Sequence, residues 1–300
     1  MLGLGTVGDV DQAPELLDAA IPDIDWTVLP EGTVSSRFAA PSGELAVISL
    51  GDPSHPRVVL APGVTGSKED FVLVMPLLAE RGYYVQSLDL AGQYESGRAG
   101  PPPGTRATWD LYVDDLVAFL RDGSPAHLLG YSFAGTVAEL VAVRHPELVR
   151  SLTLMSMPPE PGNGFRSMKV LGPLAAVVNG RVGASLMIWG VKNNMNKVGP
   201  NRVAFVRSRF ALTSRRSVDD IIGLMLHAPD VRDEVRGLGV PKLVAIGIHD
   251  LWPAELSEDL AERIGARYAG YDTGHSPCET APHQLTRDLL ALYARAGDPG

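Results

Sequence analysis

Six short runs limit the folds open to this chain: Arg57 to Ala61, Tyr83 to Leu88, His127 to Leu129, Ser151 to Met155, Pro241 to Gly247 and Ala266 to Gly270. Their interiors are mostly apolar and lack the in-out alternation of a strand with one wet face. Between them lie segments with helical spacing: Lys68 to Arg81, Trp109 to Arg121, Thr136 to Arg144, Ala254 to Arg263 and a closing one from about Pro282 to Arg295. Strands covered on both faces and alternating with helices predict an α/β fold with a mostly parallel central sheet and helices on both faces. Arg37 to Ala40 and Glu44 to Ser49 flank Pro41-Ser42-Gly43, which predicts an antiparallel hairpin leading into that sheet.

The alternation stops after Met155. From Pro158 to about Pro229 there are helical segments but no strong strand, and the pattern then resumes. A helical stretch set between two strands of one sheet reads as a cap inserted before the penultimate strand. The expected organisation is residues 1–157 as the first part of the core, 158–229 as the cap and 230–300 as the second part. Met168, Met187, Trp189, Met195, Phe205, Phe210 and Met225 make the cap more apolar than a solvated excursion. They are expected to pack among themselves and onto the main domain, with some of them lining a substrate pocket.

Bulk properties narrow the function. A net charge of -9 disfavours nucleic acid and anionic membranes. The arginines at 202, 207, 209, 215 and 216 form the one basic concentration and are expected on the solvated faces of surface helices. No segment has the roughly 18 uninterrupted apolar residues of a membrane span. The start, MLGLGTVGDVDQAPELL, has no basic n-region, so no secretory signal is expected and the cytoplasm is the default compartment. The single cysteine, Cys278, reads as a small buried hydrophobe. No metal-ligand spacing occurs, and Gly3-Leu4-Gly5-Thr6-Val7-Gly8 follows no strand, so neither a metal nor a nucleotide cofactor is expected.

Gly130-Tyr131-Ser132-Phe133-Ala134-Gly135 follows the strand at 127–129 and opens a helix. A serine on a sharp strand-to-helix turn exposes its oxygen above the sheet, and small residues are needed two positions to either side because the backbones pass close there. Gly130 and Ala134 meet that need. Together these stretches resemble the α/β-hydrolase family from about Val34 to Tyr293. The resemblance implies Ser132 as nucleophile, with an acid and then a histidine following it in the chain. Asp250, after the strand ending at Gly247, and His275, beyond the strand ending at Gly270, stand in that order; Glu160 is an alternative acid. Of the other histidines, His55, His127, His145, His227 and His283 read as surface or strand-edge groups, and His249 as pointing away from Asp250. The loop Leu60-Ala61-Pro62-Gly63-Val64-Thr65-Gly66 is similar to the family's oxyanion loop with Pro62 in place of a histidine, which implies the Val64 and Phe133 amides as oxyanion donors. Asp89 to Gly97 is similar to the family's turn after the next strand.

The resemblance implies a serine hydrolase that needs no cofactor, and the apolar cap suggests an ester of moderate size with an apolar acyl or alcohol part as its small-molecule substrate. Carbon–carbon bond hydrolysis, lactone opening, acyl transfer and perhydrolysis are open on the same triad. A ligand-binding receptor with a slow or silent site is the reading from another class, and a partner-binding scaffold using the arginine-rich segment is a third.

Overall fold

In the computed structural model of the protein, residues 13–169 and 199–298 are described. Met187, Trp189 and Met195 of the expected cap, and Gly3 to Gly8, lie outside them. The strands are β1 (Val34–Ala40), β2 (Gly43–Leu50), β3 (Arg57–Ala61), β4 (Tyr84–Leu88), β5 (Ala126–Tyr131), β6 (Val149–Met155), β7 (Lys242–Gly247) and β8 (Arg267–Tyr271). They form one eight-stranded sheet in the order β1-β2-β4-β3-β5-β6-β7-β8. β1 and β2 pair antiparallel, as do β2 and β4, and every later pairing is parallel. Every residue of β3, β5 and β7 is buried, which is why these strands do not alternate.

The helices are α1 (Pro14–Ala19), α2 (Val74–Ala79), α3 (Trp109–Arg121), α4 (Phe133–Arg144), α5 (Pro200–Leu212), α6 (Arg215–Met225), α7 (Arg232–Gly237), α8 (Ala254–Ile264), α9 (Pro277–Thr280) and α10 (Pro282–Arg295). One apolar layer joins α3, α4 and α8 to the sheet through Leu116, Leu120, Val137, Val141 and Leu260. A second joins α2 and α10 to it through Met75, Leu78, Leu285, Leu289 and Leu292. Local chemistry sets the ends: the Thr108 hydroxyl accepts from Leu111 N at 3.3 Å to cap α3, and Gly265 takes φ 66° to close α8.

Three expectations are corrected here. The single helix over 68–81 is a 3-10 turn, Lys68–Phe71, followed by the short α2, because the Ser67 and Asp70 side chains close a capping box that turns Lys68, Glu69 and Asp70 inward. Arg202 and Arg209 are not solvated: α5 buries both, at 4% and 5% exposure, against carboxylates remote in sequence. His127 is wholly buried, with Nδ1 2.7 Å from Ser151 Oγ and Nε2 2.5 Å from Asp298 Oδ2.

Among the described residues between β6 and β7 there are helices and no strand. Phe205 packs with Trp26 and Val72, while Met225 and Met168 join the main core. α5 and α6 rest on the turn after β4: Tyr94 N donates to Thr213 Oγ1 at 3.1 Å, and Ser217 Oγ donates to Ala91 O at 3.3 Å.

Candidate active site

Ser132 stands between the last residue of β5 and the first of α4, with φ 53° and ψ -118°. An L-residue held there costs about 1–3 kcal/mol and persists only where its surroundings enforce it. Ser132 N donates to Met155 O at 2.8 Å, and Ser132 O accepts from Gly135 N at 2.9 Å. A Cβ on Gly130 would collide with the Ala134 carbonyl, and one on Gly135 would stand 2.6 Å from Met157 Cβ. The sequence of small residues is therefore a steric requirement of this turn. It also draws the helix start forward, from Thr136 to Phe133.

The loop after β3 meets Ser132 from the other side. A Cβ on Gly63 would lie 2.8 Å from Ser132 Cβ and 3.5 Å from Oγ. Gly66 N donates to Gly63 O at 3.0 Å and Thr65 has φ 60°, so the chain reverses tightly around Val64. Neither Val64 N nor Phe133 N donates to any described residue. Phe133 is at the first turn of α4, where backbone donors have no partner within the helix. Its ring is held between Trp109, stacked at 5.1 Å, and Tyr112, edge-on at 5.1 Å.

Asp250 and His275 come from the loops after β7 and β8. A Cβ on Gly247 would run into the carbonyls of Thr273 and Gly274, so the two loops touch at their roots. His249 N donates to Thr273 O at 3.0 Å and Ile248 N to Tyr271 O at 2.8 Å. His275 Nδ1 lies 2.6 Å from Asp250 Oδ1, which also accepts from Leu251 N at 2.5 Å. A carboxylate only accepts, so Nδ1 carries the proton and Nε2 is left as the basic nitrogen. The His275 ring lies 5.3 Å from that of Tyr131, the residue before Ser132, and 5.8 Å from that of Trp252. Ser132 Oγ and His275 Nε2 are not hydrogen-bonded to each other. Such contacts are often long before substrate binds.

Glu160, the alternative acid, is bonded instead to the Ser167 hydroxyl. His249 turns out to solvent and meets Asp272 at 2.8 Å, as expected of a histidine pointing away from Asp250. Behind the loop after β3, Lys68 Nζ reaches Glu69 Oε1 at 2.7 Å, Glu95 Oε2 at 3.1 Å and Asp89 Oδ2 at 3.5 Å. Burial pushes the Asp89 carboxyl up to about 7 in spite of Lys68. This cluster and the arginine contacts of α5 were invisible in the sequence, because every partner except Glu69 lies far away along the chain. No group of three or more His, Cys, Asp or Glu side chains suited to a metal occurs among the described residues.

A strained serine at a strand-to-helix turn, at the carboxyl edge of a mostly parallel sheet with an antiparallel lead-in, defines the class of α/β hydrolases. The chain belongs to the alpha/beta hydrolase family, whose pattern matches residues 58–288. It is 25% identical over 259 residues to a Mycobacterium phage D29 protein named after the non-heme haloperoxidases, covering 78% of this chain and 86% of the relative. It is 40% identical over 96 residues to a 2-hydroxymuconate semialdehyde hydrolase of Pseudomonas sp. (strain CF600), a match spanning 31% of this chain and 32% of that enzyme. In fold it is similar to a hydrolase from Pseudomonas aeruginosa PA01, with a TM-score of 0.69, 21% identity, and coverage of 86% of this chain and 98% of the other.

Proposed function

We propose that the protein is a serine hydrolase that cleaves carboxylic esters of moderate size, with an apolar acyl or alcohol part, through an acyl-enzyme on Ser132. The observation that carries this reading is the 2.6 Å bond from His275 Nδ1 to Asp250, in loops whose neighbour is the strained Ser132 turn. His275 Nε2 takes the Ser132 proton as Oγ attacks the ester carbonyl carbon. The oxygen that gains the charge is met by the Val64 and Phe133 amides, which are free for that purpose. Collapse of the tetrahedral adduct expels the alcohol, protonated by His275, and water activated by the same nitrogen then releases the acid. Asp250 holds the imidazole in the required tautomer and stabilises its charged form.

Residues 158–229 are read as the cap over this site, and the cytoplasm as its compartment. The name of the semialdehyde hydrolase relative keeps carbon–carbon bond hydrolysis on the same residues as a second reading.

The test is labelling by a fluorophosphonate followed by peptide mapping, together with turnover of p-nitrophenyl esters. Adduct on Ser132 and ester turnover that Ser132→Ala abolishes are expected. Labelling with no ester turnover, but cleavage of a vinylogous diketone, would favour the second reading. No labelling, no turnover and tight ligand binding would favour a receptor.

A further inference from the structure

Helix α5 enters the interior through Arg202 and Arg209 and meets two buried carboxylates, Asp70 and Glu279. Asp70 follows the loop that carries Val64. Its Oδ2 accepts from Ser67 N at 3.2 Å, while its Oδ1 accepts from Arg202 Nη2 at 2.7 Å and Arg209 Nη1 at 2.6 Å. Arg209 Nη1 also donates to Ser67 Oγ at 3.1 Å. Glu279 is in α9, just beyond the His275 loop, and takes Arg202 with both oxygens, Nε at 3.0 Å and Nη2 on the other. The same loop is tied to the nucleophile strand by Ser276 Oγ, 2.8 Å from Tyr131 OH.

The fit at the loop is close. A Cβ on Gly66 would stand 2.6 Å from Asp70 Oδ2 and 2.9 Å from Pro62 Cβ. The Arg202 guanidinium lies 4.4 Å from the Trp26 ring centre and 5.5 Å from that of Phe205. Burial opposes ionisation of Asp70, but Arg209 and Arg202 outweigh it and hold the carboxyl below its ordinary range. If attachment of a helix were all that was needed, apolar side chains of similar volume would serve as well, because desolvation offsets much of what buried charges gain. Charged groups add directed bonds, and here Asp70, held by both arginines through one oxygen, accepts with the other from the Ser67 backbone at the end of the loop.

We infer that Asp70 is a positioning residue: clamped by Arg202 and Arg209, it fixes the Gly63–Ser67 backbone that presents the Val64 amide beside Ser132. This rests on the serine hydrolase reading. It makes seating of α5 and readiness of the oxyanion loop a single event.

The experiment measures p-nitrophenyl butyrate turnover per active site, with sites counted by fluorophosphonate titration. Asp70→Asn is expected to lower kcat at least about 10-fold with KM within about twofold, the split that follows when an interaction made only in the transition state is lost. Ser67→Ala, which keeps every charge in place, gives the same split in smaller measure and carries the test if Asp70→Asn does not fold. A kcat per site within about twofold of wild type in the folded variants, or a loss that appears only in KM, overturns the role. Absence of Ser132 labelling in the wild-type chain is a different result: it overturns the hydrolase reading and takes this role with it.

Discussion

His275 and Asp250 are joined by a 2.6 Å hydrogen bond although 25 positions, including the whole of α8, separate them. What brings them together is the parallel pairing of β7 and β8, which leaves both loops at the same edge of the sheet. Asp250→Asn keeps the shape but offers an amide that can donate to Nδ1 and so favours the wrong tautomer. The expected result is a fall in kcat of about 10⁴-fold with little change in thermal stability, read from ester turnover and a melting curve.

Gly63→Ala addresses the other side of the Ser132 turn. The new methyl would sit 2.8 Å from Ser132 Cβ and 3.3 Å from Tyr131 O, so the loop has to move away. A displacement near 1 Å at reacting groups costs on the order of 100-fold in rate. The expected outcome is a drop of about that size in kcat/KM, with the far-UV circular dichroism spectrum unchanged.

Glu139, on α4, is buried and its Oε1 has no partner among the described residues. Burial pushes its carboxyl up to about 8, and Asp230 adds to the effect against Arg232. The folded chain therefore holds this proton more tightly than the unfolded one. The stability that the neutral form supplies is fully present below the ordinary 4.5 and is lost as pH rises through about 8. Glu139→Gln is expected to match wild type in urea denaturation near the acid end of that window and to exceed it above the upper end.

At the opposite end of β5, Asp298 accepts from His127 Nε2 at 2.5 Å and pairs with Arg150. Asp298→Ala leaves the buried imidazole without that partner, which is expected to cost about 1–3 kcal/mol in urea denaturation. Turnover per folded molecule should not change. Burial also lowers His127 to about 4, so its contribution runs opposite to that of Glu139: it is present above the ordinary 6.5 and is lost as pH falls through about 4.

The parts of the fold that the sequence disclosed are those with local causes. The ends of β3, α3 and α10 coincide with the apolar periods because caps and strand-ending turns lie within a few residues of them. The Ser132 turn was recognisable from its small neighbours, and the order of Asp250 and His275 from strand ends. Arg202, Arg209 and His127 were misplaced for one physical reason. A charged or polar side chain is buried only when a partner meets it, and Asp70, Glu279 and Asp298 lie between 77 and 171 positions away. The break in the helix expected over 68–81 is set locally by the Ser67 and Asp70 capping box, while the acids that receive the inward-turned Lys68, Asp89 and Glu95, lie beyond β4.

The buried row of Ser151, His127 and Asp298 has the same three residue types as the row proposed for catalysis, yet His127 and Ser151 are fully enclosed. Strand β5 begins beside one row and ends at the other, so a single short strand has a dry end and an end at the proposed site. Damage should sort along its length: substitutions near residue 127 reduce how much protein survives, and substitutions near residue 132 reduce what each surviving molecule can do. An abundance assay run beside an activity assay would separate the two without any knowledge of the substrate.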